Sequence, residues 1–360
     1  MNIVFDNIIF SLQRSGGIST VWKEFLIRCF KHTKQMHITC INYPNNNIYS
    51  NLDFNASNQV LYKKLKTPFS RYSPITIKND SPFIFHSSYY RICNNPHAIN
   101  ITTVHDFTYE LFNHGIKRII HSWQKRNAIL HSSYIICISE NTKKDLRRFF
   151  PNIDPQRIFV VYNGVSTDYH VLTSTEQENV SLPYKSHEYV LFVGSRAKYK
   201  NFELTLQAIS RSELNLVVVG AHLNEEEKKI IKRYFKNTSR VFCTGHINNA
   251  KLNVLYNYAL ALIYPSIYEG FGIPILEAQK AGCPVIAYNG SSIPEVIGDT
   301  PLLMKETTTN EIIRCLSILS DNERRKQIIE NGLKNAGRFS WEKMYNEIMN
   351  IYKIAWESRK

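Results

Sequence analysis

A chain of 360 residues with 43% apolar and 12% aromatic residues has material for two cores of about 150 to 180 residues each, and this composition excludes a disordered or low-complexity protein. Its net charge of +14 asks for an anionic partner; nucleic acid, an anionic membrane surface and phosphorylated small molecules all qualify. Seven cysteines, widely spaced and without a C-x-x-C pair, argue against a disulfide framework or a zinc site and suit a reducing cytosol.

The opening M-N-I-V-F-D-N-I-I-F has no basic segment and carries Asp6 inside its apolar run, so it reads as a first strand and not as a signal peptide. No stretch approaches the roughly 18 apolar residues that would cross a bilayer, and a soluble cytoplasmic protein is expected. Short β-branched runs then alternate with amphipathic helical patterns, the signature of parallel α/β sheets. Strands are predicted at Ile3 to Ile9, His37 to Asn42, Phe83 to His86, Asn100 to His105, Tyr134 to Ser139 and Ile158 to Tyr162, with helices at Ile18 to Phe30, Gly115 to Ser132 and Glu140 to Phe149. Asp168 to His187 is polar and without periodicity, the best linker candidate. A second series follows, with strands at Tyr189 to Val193, Asn215 to Val219, Arg240 to Thr244, Leu260 to Tyr264 and Pro284 to Ala287. Its helices are Asn201 to Ser210, Glu225 to Phe235, Ala250 to Tyr258, Pro274 to Ala281 and a short one at Pro294 to Ile297; from Glu311 onward the pattern is helical. The domains expected are residues 1–170, a linker at 171–187, a second domain at 188–338 and a closing helix at 339–360.

Ligands of doubly wound sheets bind at the carboxyl ends of the strands, and four features fall there. Gly16 and Gly17 open the first long helix, where bare backbone N–H groups can approach a pyrophosphate; a plain tight turn fits equally. His105, in T-V-H-D-F, can hydrogen-bond a substrate hydroxyl, a phosphate or developing charge, or simply satisfy a turn. In V-G-S-R-A-K-Y-K-N, Arg196, Lys198 and Lys200 share one loop, a plausible diphosphate clamp that is not a Walker A loop. Last comes Y-E-G-F-G-I-P-I-L-E-A, Tyr268 to Ala278. With Gly272 or Ile273 as N-cap and Pro274 as first helical residue, Glu277 falls in the first turn and Glu269 in the preceding loop. The pair either complements a helix dipole or holds something rich in hydroxyl groups.

The E-x7-E spacing of Glu269 and Glu277 resembles that of the retaining glycosyltransferases of the GT-B fold, family 4, the group that includes bacterial enzymes of polysaccharide and O-antigen assembly, mannosyltransferases among them. The likeness extends along nearly the whole chain through S-G-G-I, V-H-D, I-S-E-N-T-K-K-D-L, V-Y-N-G-V, V-G-S-R-A-K-Y-K-N, S-S-I-P-E-V-I-G-D and F-S-W. It implies two Rossmann-like doubly wound domains facing across a crevice, the first binding the acceptor and the second the donor, with the last helix crossing back to the first.

The resemblance also implies roles. Glu277 would hold the ribose hydroxyls of a nucleotide sugar and Glu269 a hydroxyl of the transferred sugar, while Gly270, Phe271, Gly272 and Ile273 would present backbone N–H groups to sugar and phosphates. Lys200 matches the family's diphosphate-binding lysine. The usual arginine follows the strand glycine directly; here Ser195 stands there and Arg196 comes one later. Gly16 and Gly17 would face the diphosphate, and His105 would lie near the anomeric centre. His105, Lys200 and Glu269 are thus the expected catalytic residues.

No cofactor is implied, the GDP- or UDP-linked sugar being a substrate, and without a D-x-D triplet a metal held as in GT-A enzymes is not expected. The acceptor expected is a glycan or a lipid-pyrophosphate-linked glycan, and the basic groups Lys63-Lys64-Leu65-Lys66, Lys117-Arg118, Lys125-Arg126, Lys143-Lys144 and Arg147-Arg148 are either solvated helix faces or a patch for the inner face of an anionic membrane. The residues leave two rivals: a nucleotide-sugar 2-epimerase on the same fold, and a basic nucleic-acid-binding protein, although no nucleic-acid motif accompanies the charge.

Overall fold

The computed structural model describes residues 1–32, 36–49, 52–53, 59–65, 68–176 and 181–358; part of the expected linker (177–180) and Lys66 lie outside them. The chain forms two units, Met1–Gly164 with Trp341–Lys360, and Val165–Ser340.

The first unit holds β1 (Asn2–Asp6), α1 (Ile9–Leu12), α2 (Gly17–Lys31), β2 (His37–Asn42), β3 (Gln59–Tyr62), β4 (Phe83–Ser87), β5 (Ala98–Val104), α3 (Thr108–Phe112), α4 (Gly115–His131), β6 (Tyr134–Cys137), α5 (Glu140–Phe149) and β7 (Ile158–Val160). Its sheet runs β3-β2-β1-β4-β5-β6-β7, all parallel. Strands such as β4 are buried along their whole length, which is why they read as apolar runs without alternation. The predicted first strand, Ile3 to Ile9, is shorter: it stops at Asp6, and the remaining apolar residues turn into α1. The edge strand β3 was not expected, because Q-V-L-Y is short and only partly covered.

The last helix of the chain also belongs to this unit. In Trp341–Glu357 the buried residues Trp341, Met344, Tyr345, Ile348, Ile351, Tyr352 and Ala355 recur at helical spacing and form one face, which packs on α2 and β4. The Tyr352 hydroxyl is hydrogen-bonded to His86 Nδ1, and His86 Nε2 to Thr103 Oγ1. Burial pushes the His86 ring down to about 3, so it is a neutral strut.

The second unit holds β8 (Tyr189–Val193), α6 (Phe202–Ser210), β9 (Asn215–Val219), α7 (Glu225–Tyr234), β10 (Val241–Gly245), α8 (Asn249–Tyr258), β11 (Ala261–Tyr264), α9 (Ile273–Lys280), β12 (Val285–Tyr288), α10 (Ile293–Ile297), β13 (Leu303–Met304), α11 (Thr309–Ile318) and α12 (Asn322–Ala336). Its parallel sheet runs β10-β9-β8-β11-β12-β13, and Val190, Phe192, Leu206, Leu216, Val218 and Ile263 centre its core. Residues 168–172, part of the stretch without periodicity, are fastened to α8. The asparagines Asn249, Asn253 and Asn257, four residues apart on one helix face, bond respectively to the Tyr169 hydroxyl, to His170 N and to Leu172 N.

Candidate active site

In the second unit the site grows from the ends of two neighbouring strands. Past β8, Gly194 turns with φ +116, and a Cβ on Gly220, at the end of β9, would stand 2.7 Å from the Gly194 carbonyl oxygen. These two strand ends therefore approach as closely as glycine permits. Residues Lys198–Lys200 make one 3-10 turn, and Asn201, left-handed at φ 53, leads into α6 while its Nδ2 donates to Pro265 O. This loop is tied to the one after β11, where Ile267 N donates to Tyr199 O.

The tie brings two of the expected residues together. Lys200 Nζ donates to Glu269 Oε1 at 2.8 Å, with both side chains mostly buried. The ammonium also lies 5.6 Å from the Tyr264 ring centre and 5.7 Å from that of Tyr199, a cation–π arrangement favourable to a cation. The loop carrying Glu269 is pinned by two serines: Glu269 N donates to Ser291 Oγ, and Ser292 Oγ donates to Glu269 O and Phe271 O. Phe271 is buried against Phe339, with ring centres 5.8 Å apart. Gly270 lies between Glu269 and Phe271 in this loop.

Gly272 caps α9 with φ 106 and ψ 52, a left-handed conformation that glycine adopts without strain. Ile273 is therefore the first helical residue and Pro274 the second, one step earlier than expected. Glu277 accordingly sits beyond the first turn, which holds no acid, and complementing the helix dipole is not its part. It accepts a hydrogen bond from the Tyr256 hydroxyl at 3.3 Å. Burial pushes its carboxyl up to about 7, opposed by hydrogen bonds from Tyr169 and Tyr256. Tyr264 lies close enough to sense both acids: burial, then Glu269, then a hydrogen bond to Glu269 push its phenol well above the usual range.

Arg196, expected to share a diphosphate with Lys200, is engaged elsewhere. Its Nε donates to Glu227 Oε1 at 2.6 Å and its Nη2 to His222 O. Glu227 is the third residue of α7 and closes a capping box with Asn224. That N-x-x-E pattern is visible in the sequence and marks Glu227 as a residue fixed at a helix start, the signal that could have revealed a rigid acceptor for the arginine.

In the first unit Gly17 opens α2, and a Cβ there would meet nothing within 4 Å. Gly16 has extended backbone, φ 168, and its carbonyl oxygen accepts from Ser19 Oγ, Thr20 N and Thr20 Oγ1. His105 follows β5 directly and is buried, and its N–H donates to the Tyr90 hydroxyl. Burial pulls the ring down to about 4, with Asp106 opposing and Lys125 adding to the shift, so it is neutral at physiological pH. His105 and His86 both line a cavity of about 20 Å³ walled by Trp22, Ile138 and Met344, room for about one water molecule. Sequence reasoning left Tyr264 and Tyr256 unmarked and assigned no role to Ser291 and Ser292, which open the S-S-I-P-E-V-I-G-D motif. Of these, Tyr264 closes a buried apolar strand with a polar tip at its carboxyl end, a recognisable signal; the tyrosine of α8 offers none.

Among the described residues, no group of three or more His, Cys, Asp or Glu side chains could hold a metal ion, and no helix is long and apolar enough to cross a membrane.

Two parallel sheets carrying strand-end loops of this kind define the GT-B architecture. Consistent with it, Anabaena Alr3699/HepE, solved in complex with UDP and glucose, superposes with a TM-score of 0.72 over 98% of this chain and 99% of its own, at 13% identity. The family described as "Glycosyl transferases group 1" matches residues 173–335, and "Glycosyltransferase Family 4" matches residues 44–169. The chain belongs to the family 4 glycosyltransferases. O-antigen chain mannosyltransferase B of Escherichia coli is 28% identical over 296 residues, 77% of this chain and 76% of that protein. The serotype-specific mannosyltransferase WbdA of Escherichia coli is 26% identical over 220 residues, 58% of this chain and 27% of that longer protein.

Proposed function

We propose that this glycosyltransferase moves a hexose, with mannose the favoured sugar, from a nucleoside-diphosphate sugar to a hydroxyl of a glycan or lipid-linked glycan during assembly of a surface polysaccharide. It would act in the cytoplasm, at the inner face of the membrane. The observation that carries this reading is the mostly buried Lys200–Glu269 pair beside the start of α9. A cation held there can meet the charge that develops on a departing diphosphate, the largest electrostatic demand of the reaction. The sugar is suggested by the relatives named as mannosyltransferases.

In this reading Lys200 and the positive dipole end of α9 take the diphosphate, while Glu269 and Glu277 accept hydrogen bonds from sugar and ribose hydroxyls. A diphosphate competes with Glu269 for the lysine, so the acid is freed as the donor arrives. Arg196 stays with Glu227 and shapes the loop. With Lys200 supplying the positive charge and no D-x-D triplet in the sequence, the reaction runs without a metal.

With the donor bound, Glu269 accepts from sugar hydroxyls and Glu277 from ribose hydroxyls, so neither is taken as a covalent nucleophile, and the reaction is a same-face displacement with retention. The acceptor oxygen bonds to the anomeric carbon as its bond to the phosphate oxygen breaks, and the acceptor proton passes to the departing phosphate. His105, neutral at working pH, orients a sugar hydroxyl and does not act as the base.

The test is a thermal-shift screen of the full chain against GDP- and UDP-linked hexoses, followed by NMR of the product made with the best donor and excess EDTA. A rise in melting temperature with a GDP-hexose, and a product with unchanged anomeric configuration, are expected. An inverted linkage, or conversion of the donor to its 2-epimer without acceptor, would overturn the proposal.

A further inference from the structure

Helix α4, G-I-K-R-I-I-H-S-W-Q-K-R-N-A-I-L-H, is inverted in its use of side chains. The buried face includes His121, Gln124 and Lys125, while the outward face shows Ile116 at 74% exposure, Ile119 at 66%, Trp123 at 55% and Leu130 at 42%. These four recur at three-, four- and seven-residue steps, which places them along one side of a helix. Burying a lysine there has a structural answer: Lys125 Nζ donates to Asp106 O and Glu110 Oε2, both at 2.7 Å. Folding alone gives no such answer for an exposed stripe of two isoleucines, a tryptophan and a leucine, and contiguous exposed apolar surface marks an interaction site.

The surroundings of the stripe are cationic. The helix contains no Asp or Glu. Lys117, Arg118 and Arg126 are exposed on it, and the Arg126 guanidinium lies over the Phe150 ring at 5.8 Å. That contact sets α4 beside the basic last turn of α5, where Arg147 and Arg148 are exposed.

The geometry points to the outward face of α4 as a membrane-docking surface that lies in the interface of an anionic bilayer, with the apolar stripe among the acyl chains and the cations at the headgroups. An apolar stripe rimmed by Lys and Arg is the composition of interfacial helices, and tryptophan favours that depth. A second copy of the chain fits less well, because an isologous contact on this stripe would bring two cationic rims together. The surface shares no residue with the donor reading and does not depend on which sugar is transferred; it rests on the proposed placement at the inner face of the membrane.

The experiment is flotation of the full-length protein with vesicles of phosphatidylcholine alone and with 30% phosphatidylglycerol (a composition of roughly this order gives a strongly negative surface), at low and high salt. The expected result is capture by the anionic vesicles only, reduced by salt, with a blue shift of tryptophan emission. Trp22 and Trp341 are buried and Trp356 is partly buried, so most of the shift should be lost in Trp123→Ser. Ile119→Ser with Trp123→Ser should lower the vesicle-bound fraction at least tenfold without changing the melting temperature, and Lys117→Glu with Arg118→Glu should remove the preference for anionic lipid. No capture of the wild-type chain, or equal capture of wild type and the apolar double variant, would overturn the inference. So would a concentration-dependent dimer, seen by sedimentation, that the apolar substitutions abolish.

Discussion

The candidate residues at the strand ends of the two units differ in charge. Past β5 in the first unit stands a buried histidine pulled down to about 4, with a second neutral histidine sharing its cavity. Past β8 and β11 in the second unit stand a lysine and a glutamate that satisfy each other in a mostly buried pair, with a further carboxyl pushed up to about 7. The first unit has buried ion pairs too, Asp6 with Arg91 and Lys125 with Glu110, so the contrast lies between the candidate residues themselves, a neutral histidine in one unit and a lysine–glutamate pair in the other. A polyanionic diphosphate can exchange with the acid of an ion pair, whereas a neutral histidine pays little desolvation to meet a sugar hydroxyl. In the proposed function this contrast is the reason to place the leaving group on the second unit and no general base on the first.

Lys200→Ala should break this contrast most severely. It removes the charge that meets the diphosphate and leaves Glu269 without its partner; kcat/KM should fall by about 100-fold or more, as for other single donors to a developing anion. Steady-state kinetics with saturating acceptor would show it, and a loss of less than about threefold would return the charge to another group.

Glu277→Gln sharpens the contrast at the next level. The free enzyme's carboxyl, with its ordinary value of 4.5 pushed up to about 7, is mostly protonated at pH 6 and mostly ionised at pH 8. If the ionised form accepts hydrogen bonds from ribose, the donor KM of the wild type should rise as pH falls through about 7. The glutamine variant should have a KM about tenfold higher at pH 8 and no such slope. Folding stability moves in the opposite sense. A carboxyl whose folded pKa lies above its unfolded one gives a stabilising contribution that is full below about 4.5 and is lost as pH rises through about 7. Melting temperatures of the variant should therefore depend less on pH across that window. A slope unchanged by the substitution would assign the titration to another group.

Arg196→Ala should have the smallest effect on the reaction and a visible one on folding. It leaves Glu227 with its capping bond from Asn224 N–H but without its cation, a loss of about 2 kcal/mol for a mostly buried pair. For a unit of this size that lowers the melting temperature by roughly 4 to 8 °C, while the donor KM should change less than about threefold. A loss of donor affinity matching that of Lys200→Ala would mean that the arginine leaves Glu227 for the phosphate.

Much of this organisation was legible in the residues. The buried strands declared themselves as apolar runs, and Glu269, Glu277 and Lys200 stood out by type and by position after strands. What escaped was set by tertiary pairing or by one step of backbone. The Lys200–Glu269 bond joins residues 69 apart, and nothing local announces which of three cations in the loop will turn inward. Arg196 meets an acid that is rigid only because of a cap in another helix. Glu277 lies deeper in α9 than counted because Gly272, left-handed, starts the helix at Ile273 and not at Pro274. The strands β3 and β13 were too short for periodicity to register. For α4 the helix itself was predicted; which of its two apolar faces would be buried was not, since a lysine on the inner face runs against every compositional expectation.

The most direct measurement is hydrogen–deuterium exchange of the full-length enzyme with and without its best nucleotide sugar. Protection of the amides of residues 194–201 and 268–277, lost in Lys200→Ala, is the predicted result. Donor-dependent protection that leaves both segments unchanged would contradict the placement of the donor on the paired charges of the second unit.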